Sequence, residues 1–145
     1  MKFTKIIMYN DCFGGFGISG FAKIEYAKRI LNKPFKVYRS AYDTDKELTE
    51  AEIAELSEEP NLHTIHIIKN NGEEFKFPNW WWDQSSRRDP VLLSLLEEYG
   101  SKKISSSCAN IKIEEIDEDD YYKIIDLEDG VESVSTISIK DRYFF

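Results

Sequence analysis

The sequence predicts a single α+β domain over residues 1–145. A mixed sheet starts with a βαβ-like unit and is extended by C-terminal antiparallel hairpins, and two main helices pack on it. Three observations predict this class. Period-two apolar runs occur at both ends of the chain, helical periodicity is confined to two main stretches, and glycine-bearing turns separate the β-like runs. No internal repeat, low-complexity linker or composition shift marks a second domain.

Residues 3–10 read as the first strand. Phe3, Ile7 and Tyr9 alternate with Ile6 and Met8, so both faces carry apolar groups, as in an interior strand covered on two sides. A glycine loop follows, Cys12-Phe13-Gly14-Gly15-Phe16-Gly17, and Ser19 stands where a helix N-cap belongs. Phe21, Ile24, Ala27 and Leu31 then recur at helical spacing, with Glu25, Lys28 and Arg29 on the other face and Pro34 just beyond. Residues 35–39 form a plausible second strand, and the crossover is long enough for parallel pairing with the first.

Residues 43–59 are polar and acidic. Thr49 and Glu52 have capping-box spacing, which predicts a short surface helix. Residues 62–69 form another β-rich run, and Asn71-Gly72 ahead of residues 74–77 predicts a hairpin that Pro78 ends. Trp80-Trp81-Trp82 follows without a clean period. Asp89 and Pro90 open the second main helix as N-cap and first helical residue; Leu92, Leu93 and Leu96 form its apolar face, and Gly100 ends it. In the last third, residues 110–113, an acidic break at 117–120, a strand at 121–127, a turn at Asp129-Gly130 and a partner strand at 131–139 predict an all-β ending.

The bulk chemistry excludes several function classes. The net charge of −8 disfavours direct binding to a nucleic-acid backbone, because such affinity comes from many Lys and Arg on phosphates. An acidic balance serves solubility, and it also suits a basic partner. No apolar run approaches the roughly 18 residues that span a bilayer, and no secretory leader is visible. Two cysteines, Cys12 and Cys108, are too few for a disulfide framework, so the chain reads as cytoplasmic with free thiols.

Four features are candidate sites. The glycine loop and the helix start behind it present backbone N–H groups that suit a phosphate or carboxylate, although neither the dinucleotide fingerprint nor a Gly-Lys-Ser/Thr signature is present. A tight turn for close packing is the structural alternative. Cys12 lies just ahead of that helix, where a thiolate can be reactive, but the two histidines, His63 and His66, are three positions apart and point to opposite faces of one strand. Arg87 and Arg88 can clamp an anion or pair with acids of the same chain. Of three adjacent tryptophans at least one ring must leave the core, and exposed tryptophan is a strong contact residue.

Three segments carry a family resemblance. Asn10-Asp11-Cys12-Phe13-Gly14-Gly15-Phe16-Gly17-Ile18-Ser19 resembles the N-x-C-[YF]-G-G-F-x-[LI]-S start of small uncharacterised bacteriophage and prophage proteins. Asp89-Pro90-Val91-Leu92 with the run ending in Glu97-Glu98-Tyr99-Gly100 is similar to that family's helix. Ala109-Asn110-Ile111-Lys112-Ile113 and Asp129-Gly130-Val131-Glu132 resemble its later strand and hairpin. The family's His-Arg-aromatic ending appears here as Asp141-Arg142-Tyr143, with aspartate in place of histidine. The resemblance implies a phage setting and an accessory role, with counter-defence among the roles expected there, and no known reaction.

The sequence therefore points to a small phage-type accessory protein that binds a host protein or a small phosphorylated ligand. Asn10, Cys12, Gly14, Gly15, Phe16, Ser19, Trp81, Arg87 and Arg88 are its candidate binding residues. No catalytic residue, metal ligand or cofactor is assigned. Two alternatives stand beside this reading: a cysteine-dependent hydrolase or transferase using Cys12, and an acidic inhibitor that competes with nucleic acid for a host protein.

Overall fold

A computed structural model describes residues 3–40 and 46–137. Positions 43–45 of the acidic run, the end of the last strand at 138–139 and the Asp141-Arg142-Tyr143 ending lie outside the described residues. The α+β class is as the sequence predicts. Among the described residues there are seven strands: β1 (Thr4–Asn10), β2 (Phe35–Arg39), β3 (Lys46–Glu47), β4 (Ile65–Lys69), β5 (Ile111–Asp117), β6 (Tyr121–Glu128) and β7 (Val131–Ile137). The helices are α1 (Gly20–Leu31), α2 (Glu50–Glu55), α3 (Pro90–Tyr99) and α4 (Ser101–Ile104), with a 3₁₀ helix over Gln84–Arg88.

The pairing corrects the expected topology. The strands form three small sheets, β1–β5, β3–β2–β4 and β6–β7, and each pairing is antiparallel. No mixed sheet and no parallel βαβ unit occurs among the described residues: α1 hands the chain from β1 to a strand in a different sheet. Apolar groups on both faces of β1 signalled two-sided burial correctly, but burial does not specify strand direction. Met8 belongs to the main core with Phe21, Ile24, Ile67 and Leu92. Its neighbour Ile7 faces the other way, into a smaller cluster with Ile116 and Ile124. β1 thus divides two cores, and its backbone pairs with β5 in the register Ile7↔Glu114 and Met8↔Ile113.

Local side-chain chemistry sets the helix ends. Ser19 Oγ accepts from the Ala22 N–H at 3.1 Å, and Asn32 closes α1 in the left-handed region at φ 48°. Thr49 and Glu52 form the full capping box of α2, whose acidic first turn also suits the helix dipole. Asp89 Oδ1 caps α3 by accepting from Val91 and Leu92, and Gly100 at φ 87° ends it.

The predicted 62–77 hairpin is realised only in part. Ile68 bridges Glu74, and the Phe75 N–H donates to Ile67 O at 2.8 Å, but residues 75–77 form no strand. Phe75, Phe77 and Trp80 turn instead onto Tyr26 of α1, with ring centroids 6.4, 5.8 and 5.2 Å from it. Aromatic pairs of this kind, edge-to-face for Trp80 and tilted for Phe75 and Phe77, add about 1 kcal/mol each beyond burial, which favours packing on α1 over pairing in the sheet.

Tyr26 Oη also donates to Asp89 Oδ2 at 2.5 Å, tying α1 to the cap of α3. Burial, then the Asp89 hydrogen bond and charge, push Tyr26 ionisation far above its ordinary value. A phenol whose folded pKa is raised stabilises the fold below the unfolded value near 10 and loses that contribution as pH rises beyond it. Tyr26→Phe is expected to cost about 1–2 kcal/mol at neutral pH, and urea titrations should show the gap to wild type closing above about pH 10.

Candidate functional site

Several of the candidate residues meet at one corner, where the end of β1, the glycine loop, the tryptophan turn and the β6–β7 turn converge. Asn10 is fully buried there. Its Nδ2 donates to Cys12 O at 2.6 Å and Gly130 O at 2.8 Å, while its Oδ1 accepts from the Asn110 N–H at 2.9 Å. One side chain thus joins three chain segments. A buried amide is retained at such a point because every polar atom has a partner.

Arg87 is fully buried beside it. Its Nη1 and Nη2 donate to Glu132 Oε1 and Oε2 at 2.6 and 2.7 Å, a bidentate pair across the fold. Nε donates to Trp80 O, and Nη1 also approaches Met8 O at 3.4 Å. The guanidinium plane lies 4.1 Å over the Phe16 ring, a cation–π contact that desolvation strengthens. Glu132 Oε1 accepts in addition from the Asn10 N–H at 2.8 Å. Arg87 is therefore engaged inside the fold, with its charge balanced by Glu132.

The glycines are required by what leans on them. Gly14 and Gly15 have φ of 110° and 87°, and Gly130 has φ of 88°. A Cβ on Gly130 would stand 2.2 Å from Gly15 N, and one on Gly15 would stand 2.1 Å from Trp81 Cη2. The Gly14 N–H donates to Asp129 O at 2.8 Å. The turn, the loop and the indole are stacked with no room for a methyl group.

Ser19 and Arg88 fall elsewhere, whereas Cys12 belongs to the loop at the corner. Ser19 is buried at the start of α1, donating to Lys103 O at 2.7 Å, while the Phe21 N–H donates to Pro60 O at 3.1 Å. The first-turn donors of Phe21 and Ala22 are thus already paired within the protein. Arg88 points outward to Glu118 at 3.4 Å. Cys12 is half-buried and Cys108 exposed. His63 lies 3.6 Å from Glu52, and His66 lies 3.6 Å from Glu74.

What faces solvent at the corner is aromatic. Trp80 is buried, but Trp81 is 47% and Trp82 78% exposed, with their ring centroids 6.4 Å apart. Phe13 in the glycine loop is 61% exposed. Residues outside the binding candidates of the sequence complete the corner: Glu132, Asp129, Gly130 and Asn110. The Asp129-Gly130 turn was visible, but nothing local shows that Glu132 reaches an arginine 45 positions away.

No family model, curated protein or solved structure matches this chain. No helix among the described residues is long and apolar enough to cross a membrane.

Two stability predictions follow from this geometry. Gly130→Ala is expected to cost about 3 kcal/mol or more, through backbone collision and a strained φ. Gly72→Ala shares the positive φ of 87° but has nothing within 4 Å, and should cost about 1 kcal/mol in the same denaturation assay. Arg87→Met strands the Glu132 carboxylate and should cost about 3–5 kcal/mol, whereas Arg87→Met combined with Glu132→Leu should recover much of that loss.

Proposed function

We propose that this chain is a non-catalytic binding protein whose contact surface is the aromatic corner carrying Phe13, Trp81 and Trp82, and that its partner is a protein. The observation that carries this reading is the pair of exposed indoles held on a glycine-built base. Trp81 rests on Gly15, so its position is fixed before a partner arrives. Pre-organised aromatic anchors lower the entropy cost of binding and are typical hot spots.

Engagement of Arg87 and of the α1 start within the fold supports a protein partner over a small anion at this corner. The two histidines are held by glutamates of α2 and of the turn after β4, which supports binding over Cys12 chemistry. The surroundings are acidic: Asp126, Glu128 and Asp129 flank the hairpin turn in a chain of net charge −8, while Asp11 beside the loop is paired with Lys112 at 2.7 Å. The fitting partner offers an apolar pocket with a basic rim. The motif resemblance makes a host protein in a phage-type setting the natural source of that pocket.

The test is affinity capture from host lysate with the wild-type chain and three variants, with copurified small molecules analysed by mass spectrometry. Trp82→Ala and Trp81→Ala are expected to lose a specifically retained protein, with about 2 kcal/mol or more lost per indole. Cys12→Ala should retain it. Retention should persist at high salt, which separates an indole anchor from an acidic surface that mimics nucleic acid. Capture that ignores both tryptophan substitutions, or that requires the Cys12 thiol, would overturn the reading.

A further inference from the structure

Away from the aromatic corner, two clefts of about 440 and 450 Å³ adjoin at the base of the β3–β2–β4 sheet and share Pro34, Lys69 and Asn70. Each is large enough for part of a small ligand. Lys33 lines the first cleft, Lys36 the second and Lys69 both. Glu73 faces Lys69 at 3.4 Å, and among the described residues no carboxylate is paired with Lys33 or Lys36. In a chain of net charge −8, Lys36 and Lys69 in the second cleft and Lys33 in the adjoining one form a local positive patch, in which Glu73 is paired with Lys69 and Glu74 with His66.

The second cleft also has an aromatic wall. Lys36 and Tyr38 alternate with Val37, which is buried in the main core, so they occupy the opposite face of β2. Across the ladder, Lys36 pairs with Ile68 and Tyr38 with His66, and the Tyr38 and His66 rings lie 5.8 Å apart. That outward face offers a half-buried aromatic and aliphatic surface beside the lysines, with the Tyr38 and His66 rings edge to face at 76° and Glu47 across the ladder from Tyr38.

We propose that the second cleft is a binding site for a nucleoside polyphosphate: the phosphates lie against Lys36 and Lys69, with Lys33 in the adjoining cleft, and the base lies against Tyr38 and Ile68. Lysine supplies rotatable point charges suited to phosphate oxygens, and an aromatic face accepts any base by stacking. The site is independent of the aromatic-corner reading, since it lies on another sheet and shares no residue with it.

Calorimetric titration of the full chain with ATP, and separately with inorganic triphosphate, tests this. ATP is expected to bind and to raise the melting temperature, as mass action requires. Lys36→Gln or Lys69→Gln should weaken ATP binding by about tenfold each, the size of one charge-assisted contact, while Lys36→Arg retains it. Tyr38→Ala should weaken ATP but leave triphosphate unchanged. Lys123→Gln on β6 and Trp82→Ala should alter neither. Absence of binding, or ATP affinity indifferent to the Lys36 and Lys69 substitutions, would overturn the site. Triphosphate binding as tightly as ATP, together with indifference to Tyr38→Ala, would overturn the nucleoside part.

Discussion

The buried pair between Arg87 and Glu132 is the interaction on which the rest of the architecture depends. Neither β1–β5 nor β6–β7 has more than two strands, and an isolated two-stranded ribbon is marginal in water. Their stability comes from being fastened to something else. The guanidinium reaches the β7 carboxylate, the β1 backbone and the carbonyl before the exposed tryptophans, while Phe16 of the glycine loop lies beneath it. Asn10 closes the same junction by holding the hairpin turn and the segment before β5. Four parts of the chain that share no sheet are thereby fixed in one geometry.

Such a junction is costly to assemble, because burying an arginine and a glutamate removes both from water. Here the desolvation is offset by saturation: both carboxylate oxygens accept from Arg87, and the Asn10 N–H adds to one of them. Its gain is specificity more than net stability. An apolar plug of similar volume fills space, but it does not dictate which turn docks on which loop. The glycines finish that specification, since only a backbone without Cβ lets the Gly130 turn sit on Gly15.

The parts of this fold legible in the sequence were those whose causes are local. Ser19, the Thr49–Glu52 box, Asp89 with Pro90, and Gly100 all act within a few residues, and each does in the structure what its chemistry indicates. Strand pairing was not legible, because an apolar alternation records which faces are buried and says nothing about the partner or its direction. The crossover to β2 was long enough for a parallel pair, yet β1 takes β5 from the far end of the chain. Phe75 and Phe77 alternated as a strand should, but the ring of Tyr26 outcompeted the ladder. At the candidate site, the need for glycine could be read, and so could the exposure of part of the tryptophan run. The ring and the turn that rest on those glycines could not, since both come from distant segments.

The stacking of Gly130 on Gly15 and of Gly15 on Trp81 has a thermodynamic consequence. The indole is oriented by a loop whose own shape depends on the docked β6–β7 hairpin, so the free energy of gripping Trp81 and that of seating the hairpin are linked. Whatever holds the tryptophan also holds the C-terminal ribbon in place, and whatever loosens the ribbon weakens the grip by the same factor. Occupancy at the corner would then be legible in the hydrogen-exchange protection of the β6–β7 ladder beyond its turn.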